Sequence, residues 1–168
     1  MAAAEGLDLR MFGGRAFMSM RLEKGFGVWN LEYRPDSTPA EAGMGPFVKV
    51  DKAADLIGKE AARAELDRGP DRRLVTLVPD VGDADEPGLA DATHDEPVFH
   101  GGECVGFVTS GGHAHYSQAS VALAYVPTRL ADDPATHDGF EAEILGHIRP
   151  AQLVAECLYD PAGERMRG

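Results

Sequence analysis

The sequence is poor in several features that would assign a function at once. It has two cysteines, Cys104 and Cys157, and one tryptophan, Trp29. Two cysteines do not build a disulfide scaffold, so we expect reduced thiols buried in strands, and a cytoplasmic setting. No apolar run approaches the roughly 20 residues that cross a bilayer, which excludes a transmembrane helix. The opening residues also lack the basic region and long apolar core of a secretory signal.

The sequence is also poor in positively charged residues. The chain has 16 Lys and Arg against 28 Asp and Glu, and its net charge is −12. Phosphate backbones attract clustered Lys and Arg, so we expect no nucleic-acid partner. The 168 residues are 43% hydrophobic and 26% charged, a composition typical of globular proteins. That length holds one ordinary domain or two small ones.

The first part of the chain has the pattern of two helices and a loop. Apolar residues recur three or four apart after Arg15, which predicts a helix from Arg15 to Lys24 that ends at Gly25. A proline-punctuated loop follows, and residues 44–52 are typical of a short strand or a buried turn. Residues 53–69 are amphipathic and predict a second helix that ends at Gly69.

After Gly69 the pattern changes to short segments rich in Val, Leu, Ile and aromatics. Turn residues separate them, and the glycine pair 101–102 and the turn at 146–147 are typical of hairpins. Five or six strands without helices between them predict a small antiparallel barrel or sandwich. The acidic, glycine-rich stretch 80–95 is expected to be a surface loop. The fold class is therefore α+β.

Histidines and glycines suggest two sites, each with a simpler alternative. His113 and His115 are two apart, so on a strand they would face one side and could share a metal ion. No established metal motif supports this, and we expect no metal. The glycine-rich stretch 109–120 could cradle an anion, but it lacks a P-loop lysine, and a flexible loop is the favoured interpretation.

Four other side chains are candidates for ligand or structural roles. Arg15 and Arg21 are six apart and do not share a helix face. One could point into a pocket and clamp a carboxylate while the other is solvated, although an arginine on an amphipathic helix is usually a surface charge. Glu41 could cap backbone donors or pair with an arginine. Trp29 could stack on a flat heterocycle or plug the joint between the two parts.

The order of motifs resembles a known family. "FGGRAFMSMRLEKGFGVWNLEY", "STPAEAGMGPFVKVDK", "DLIGKEA", "RRLVTLV", "GGECVGFVTSGG", "SVALAYVP" and "ERMRG" follow one another along the chain. Together they are similar to the C-terminal part of the glycine-cleavage T-protein family of folate-dependent aminomethyltransferases. "RLEKGF", "FVKVDK" and "LYDPAGERMRG" are most similar to the C-terminal region of dimethylglycine and sarcosine dehydrogenases.

The resemblance implies a division of the chain and a cofactor. Residues 1–69 are expected to be the closing segment of a folate-binding α+β domain, and residues 70–168 a small antiparallel β-barrel. Tetrahydrofolate is the implied cofactor, with Arg15 contacting it and Trp29, Glu41 and Phe47 as further cofactor-binding candidates. Phe47 stands near a position where the family often has an aromatic residue. The catalytic aspartate of the family belongs to a region ahead of these motifs, so no catalytic residue is expected here.

Two functions remain open at this point. The first is the C-terminal portion of an aminomethyltransferase-type protein that helps to bind tetrahydrofolate and acts with a small amine or methyl donor. The second is a non-catalytic accessory or assembly module of a sarcosine or dimethylglycine dehydrogenase-like flavoenzyme. Both expect further protein, either a missing N-terminal segment or a flavoprotein subunit. A metal-dependent hydrolase using His113 and His115 is a third, remote hypothesis.

Overall fold

Six antiparallel strands close into a barrel in the computed structural model, which describes Gly6 and residues 9–82 and 90–167. The strands are β1 (Arg72–Pro79), β2 (Pro97–His100), β3 (Glu103–Ala114), β4 (Ala119–Pro127), β5 (Phe140–Ile144) and β6 (His147–Val154). Their order around the barrel is β1-β4-β3-β2-β5-β6, and β6 pairs with β1 to close it. The helices are α1 (Gly14–Glu23), α2 (Lys59–Arg68), α3 (Thr128–Ala131) and α4 (Glu164–Arg167). The predicted α+β class is confirmed.

Strand β4 is buried on both faces, and the residues on its outer face fix the position of α1. Ala122, Ala124 and Val126 belong to the barrel core, where small side chains suit the narrow interior of six strands. The alternate residues Val121 and Leu123 point out of the barrel and pack with Leu22 of α1. The helix therefore lies on the outer surface of the barrel, over β3 and β4.

Two hairpin turns explain how neighbouring strands pair. Gly101 and Gly102 both have positive φ, at 61° and 80°, as a tight turn between β2 and β3 requires. Leu145 and Gly146 play the same part between β5 and β6, with φ of 50° and 80°. The predicted hairpins are confirmed, although the second turn lies one residue earlier than the sequence suggested.

Helix α1 ends where the sequence places its stop. Gly25 has φ of 67°, which lets the chain leave the helix abruptly, and its amide donates to the Leu22 carbonyl at 3.0 Å. Helix α2 ends at Gly69 as predicted but begins only at Lys59, because Gly58 has a left-handed φ of 80°. No helix within the described ranges is long and apolar enough to cross a bilayer.

Several local predictions are wrong. Residues 45–47 form an exposed 3-10 turn rather than a strand or buried turn, since Pro46 at its start sets the helical φ. Most of the glycine-rich stretch 109–120 is strand, because β3 continues through Ala114. Cys104 is exposed, and Cys157 lies half-buried outside any strand. Much of the acidic loop prediction, over residues 83–89, falls outside the described residues.

Candidate functional site

A buried carboxylate ties the loop after α1 to the barrel. The Glu32 side chain is fully buried and lies 3.1 Å from the Arg21 guanidinium (Oε2 to Nη1). It accepts hydrogen bonds from the Val28 amide at 2.9 Å, from the Thr109 hydroxyl at 2.8 Å, and from the Ser110 hydroxyl. Burial by itself would raise the pKa of Glu32, but these donors and the guanidinium outweigh it and hold that pKa below its usual value. Glu32 is thus an anion at neutral pH.

Arg21 is left with unused donors. Its side chain is 2% exposed, and Nη1 serves both Glu32 and the Phe26 carbonyl at 3.4 Å. Nε and Nη2 have no hydrogen-bond partner among the described residues. Buried polar groups are nearly always paired, so these two nitrogens are exceptions among the described residues.

Arg21 lies at the wall of a cleft of about 550 Å³, which we call the aromatic cleft. Tyr116 and Tyr159 meet edge to face, with ring centroids 4.9 Å apart, and the Arg165 guanidinium lies 5.6 Å from the Tyr159 ring centroid. The lining residues, contributed by α1 and the residues just after it, the β3–β4 turn and the C-terminal segment, are Phe17, Met20, Arg21, Glu23, Lys24, Phe26, Tyr116, Tyr159, Asp160 and Arg165. This is an apolar, flat-sided cleft with guanidinium groups at its wall.

Two carboxylates fix the walls of the aromatic cleft. Glu23 is 4% exposed and accepts from the Tyr116 amide at 2.9 Å and from the Ser117 amide at 3.1 Å, which holds the β3–β4 turn against α1. Asp160 pairs with Lys24 at 3.2 Å and so fastens the C-terminal segment to the end of the same helix. Desolvation opposes the charged form of Asp160, yet Lys24 and two backbone amides hold its pKa below the usual value.

The opposite flank of α1 borders a second cleft, of about 330 Å³, which we call the histidine groove. Arg15 and Ser19 line it from the helix, His113 from the end of β3 and His115 from the turn that follows. The two imidazole rings lie 5.0 Å apart, centroid to centroid. Helix α1 thus separates an aromatic cleft from a groove lined by imidazoles.

The structure does not bring the four sequence-predicted cofactor residues together. Arg15 lines the histidine groove, and the other three line neither cleft. Trp29 is 68% exposed and Phe47 is 75% exposed, so Trp29 plugs no joint within the described part of the chain. Glu41 caps the Thr38 amide at 3.0 Å and pairs with Arg72 at 3.1 Å, so both proposed structural roles of this carboxylate are seen. Contact of these four residues with a cofactor stays a prediction.

Sequence reasoning missed the residues that build the aromatic cleft. It favoured Arg15 for a pocket and left Arg21 solvated, whereas Arg21 is the buried arginine and Arg15 is exposed. Helical spacing gives no sign of the carboxylate of Glu32, eleven residues later, which makes burial of Arg21 tolerable. Tyr116 and Tyr159 lie far from α1 in sequence, and only closure of the barrel brings them to it.

The described residues contain no cluster of three or more metal-ligating side chains. Three of the histidines are instead bonded to backbone carbonyls: His94 to Thr109 at 2.7 Å, His100 to Thr136 at 3.2 Å, and His137 to Ala131 at 3.1 Å. The architecture is that of a barrel with a helix packed on its outer face.

Comparisons with known proteins define the family. The glycine cleavage T-protein C-terminal barrel domain matches residues 72–160, and the GCVT N-terminal domain matches residues 1–52. The chain therefore belongs to the glycine cleavage T-protein family, and the resemblance seen in the sequence is confirmed.

The relatives include a dehydrogenase, an aminomethyltransferase and an oxidase. The chain is 38% identical to human mitochondrial dimethylglycine dehydrogenase over 165 residues, which are 97% of this chain and 18% of that protein. It is 37% identical to an aminomethyltransferase of Parasynechococcus marenigrum over 141 residues, 84% of this chain and 36% of that protein. It is also 32% identical to a 4-methylaminobutanoate oxidase (formaldehyde-forming) of Paenarthrobacter nicotinovorans over 166 residues, 99% of this chain and 19% of that protein.

A solved structure shows the same fold. The glycine cleavage system aminomethyltransferase T of Bartonella henselae superposes with a TM-score of 0.77 at 25% identity, over 95% of this chain and 44% of that one. The chain thus spans less than half of the length of each of these relatives.

Proposed function

We propose that this chain is the C-terminal portion of an aminomethyltransferase-type one-carbon transfer protein and that it helps to bind tetrahydrofolate. The observation that carries the proposal is the aromatic cleft, which is lined by aromatic side chains and by Arg21 and Arg165. Its volume of about 550 Å³ lies in the range of small-molecule sites, which are mostly apolar with a few polar groups that fix orientation.

The residues of the aromatic cleft fit the chemistry of this cofactor. Phe17, Phe26 and Tyr159 offer flat apolar surface to a heterocycle. The Arg165 guanidinium at the cleft wall suits carbonyl or carboxylate oxygens. When bound, tetrahydrofolate would supply the one-carbon carrier, and these side chains would orient it and exclude water. Proton transfer is assigned to no residue of this chain.

The proposal includes the organisation predicted from the sequence. Residues 1–69 would close a folate-binding domain and residues 70–168 would form its barrel. Catalysis would use a small amine or methyl donor and further protein, such as an N-terminal segment or a flavoprotein subunit. We place the protein in the cytoplasm, a reducing compartment with which its two free thiols are compatible.

Calorimetric titration of the chain with tetrahydrofolate tests the proposal. We expect Phe17→Ala to weaken binding by roughly tenfold, since an aromatic contact with a flat ring is worth about 1 kcal/mol or more beyond its area. Ile148→Ala is the matched control, because Ile148 is 49% exposed on β6 and Phe17 is 46% exposed. Equal affinity of all three proteins, or no binding at all, would contradict a folate role for this cleft.

The same titration separates the aromatic cleft from the residues predicted by resemblance. Arg15→Ala and Phe47→Ala, measured beside Phe17→Ala, show which side chains the folate contacts. A loss confined to Arg15→Ala would move the site to the other flank of α1.

A second candidate function is an accessory or assembly module of a flavin dehydrogenase. It is favoured by the apolar side chains exposed between residues 9 and 66, among them Phe12, Trp29 and Ile57. Absence of folate binding together with tight association with a dehydrogenase segment, measured by light scattering after gel filtration, would support this function over the first.

A further inference from the structure

We propose that His113 and His115 form a two-histidine chelate for a late first-row divalent metal, with Cu²⁺ bound most tightly and Ni²⁺ and Zn²⁺ less so. Imidazole is a preferred ligand of these ions, and their affinities follow this order in most nitrogen sites. The inference concerns the histidine groove and is independent of the proposed folate function.

The two rings meet edge to face, and the distance between their centres is one that a shared metal allows. A metal lies about 2.0–2.1 Å from an imidazole nitrogen and hence roughly 3.2 Å from the ring centre. Two rings bound at a tetrahedral angle then have centres roughly 5.2 Å apart, and a right angle brings them to roughly 4.5 Å. The observed separation is 5.0 Å, with an angle of 77° between the ring planes.

The ring nitrogens of this pair are available. His94, His100 and His137 each use a ring nitrogen on a backbone carbonyl. No such bond is made by His113 or His115 to any residue in the described ranges, and both rings line an open groove. A neutral imidazole with a free nitrogen is the form that binds a metal.

The backbone that carries the pair is held before any metal arrives. The Ser19 hydroxyl donates to the His113 carbonyl at 2.7 Å, and the Gln118 amide donates to the His115 carbonyl. The next two residues, Tyr116 and Ser117, are fixed by Glu23. Little backbone entropy is therefore lost on binding, which favours affinity from only two protein ligands.

The charge of Arg15 allows a metal site to be distinguished from an anion site. It is the charged side chain that lines the groove beside the two imidazoles, and no carboxylate lines it. A guanidinium repels a metal cation but would attract an anion. Removing it should strengthen metal binding and would weaken a carboxylate or phosphate site.

The test is calorimetric titration of the full chain with Cu²⁺, Ni²⁺ and Zn²⁺ at neutral pH, each with Mg²⁺ as the comparison ion. The titration uses a Cys104→Ser background, because that exposed thiol is a competing ligand. We expect one ion per chain, no binding of Mg²⁺, and at least a tenfold loss of affinity in His113→Asn and in His115→Asn. His147→Asn, at an exposed histidine outside the groove, should change nothing.

A further readout sharpens the result. Arg15→Gln should raise the affinity roughly two- to fivefold, as removal of a nearby surface charge does. Unchanged affinity in both histidine variants, or weaker binding in Arg15→Gln, would overturn the proposal.

Discussion

The barrel and the segment that precedes it are stabilised in different ways. Seventeen of the twenty buried hydrophobic residues of the described ranges lie after residue 70, whereas eleven of the fourteen exposed large hydrophobic side chains lie before it. The barrel encloses its own core and has no open edge between its six strands. The earlier segment is joined to the barrel by polar contacts, such as Glu32–Thr109 and Glu41–Arg72, and by the packing of Leu22 against β4.

This difference indicates that the barrel buries a hydrophobic core of its own, whereas the earlier segment buries few apolar side chains. A segment with little core of its own and many exposed apolar side chains is typical of an interface surface. It also explains why the aromatic cleft lies where it does, since α1 presents apolar residues on the side that faces away from the barrel.

The largest expected effect comes from a substitution that forces two strands of the barrel apart. Gly106 lies on β3 where a Cβ atom would meet the Tyr125 carbonyl oxygen at 2.0 Å, so β3 and β4 must separate to admit it. We expect Gly106→Ala to destabilise the fold by about 4–5 kcal/mol, the upper end for single substitutions. Urea unfolding followed by circular dichroism measures this. Gly14→Ala, with no heavy atom within 4 Å of its added Cβ, should instead stabilise by about 0.4–1 kcal/mol. Equal effects would refute the account of close backbone approach.

The second effect breaks the polar joint between the two regions. Glu32→Gln leaves the Arg21 charge buried and uncompensated, which should cost about 3–5 kcal/mol at pH 7. The folded-state pKa of Glu32 is lowered, so its contribution to stability is present above the unfolded value near 4.5 and is lost as the pH falls through the folded pKa. The difference between wild type and variant should therefore shrink at about pH 3.5. The free energies of unfolding of wild type and variant are measured with urea at both pH values. If their difference is the same at pH 7 and at about pH 3.5, Glu32 acts through its shape rather than its charge.

The third effect compares leucines of the two regions. Leu77 is fully buried in the barrel core and Leu66 of α2 is 40% exposed. Leu77→Ala should cost about 2–5 kcal/mol and Leu66→Ala less than about 1 kcal/mol. The denaturant midpoints of the two variants give the two losses of stability. Similar losses would mean that α2 packs into a hydrophobic core of its own.

The smallest effect is at the most exposed apolar residue. Ile57, at 104% of its reference exposure, contacts little in this chain. Ile57→Ser should change the free energy of unfolding by less than about 0.5 kcal/mol. Thermal denaturation provides the measurement, and a loss above about 1 kcal/mol would show that Ile57 is packed in solution.

Local pattern accounted for much of the fold. Periodicity and glycine stops placed α1 within a residue at each end, and the turn residues at 101–102 and 146–147 located two hairpins, the second within one residue. The start of α2 and the length of β3 were misjudged because both depend on context. Gly58 adopts a left-handed φ, and the glycines of β3 are held in strand by pairing with β4.

The candidate site was far less predictable. Arg15 and Arg21 have the same residue type on the same short helix, and sequence alone could not tell which is buried. Burial of Arg21 depends on Glu32, Thr109 and Ser110, which meet only when α1 is seated on the barrel.

The sequence by itself determined the family, the α+β class and the change from helices to strands near Gly69, because periodicity and turn chemistry act over a few residues. Only the tertiary structure decided which arginine is buried and which aromatic rings face one another. It also decided that His113 and His115 flank a groove shared with α1. Those features depend on the closure of six strands, which brings together residues about ninety positions apart, as in the bond from Ser19 to His113.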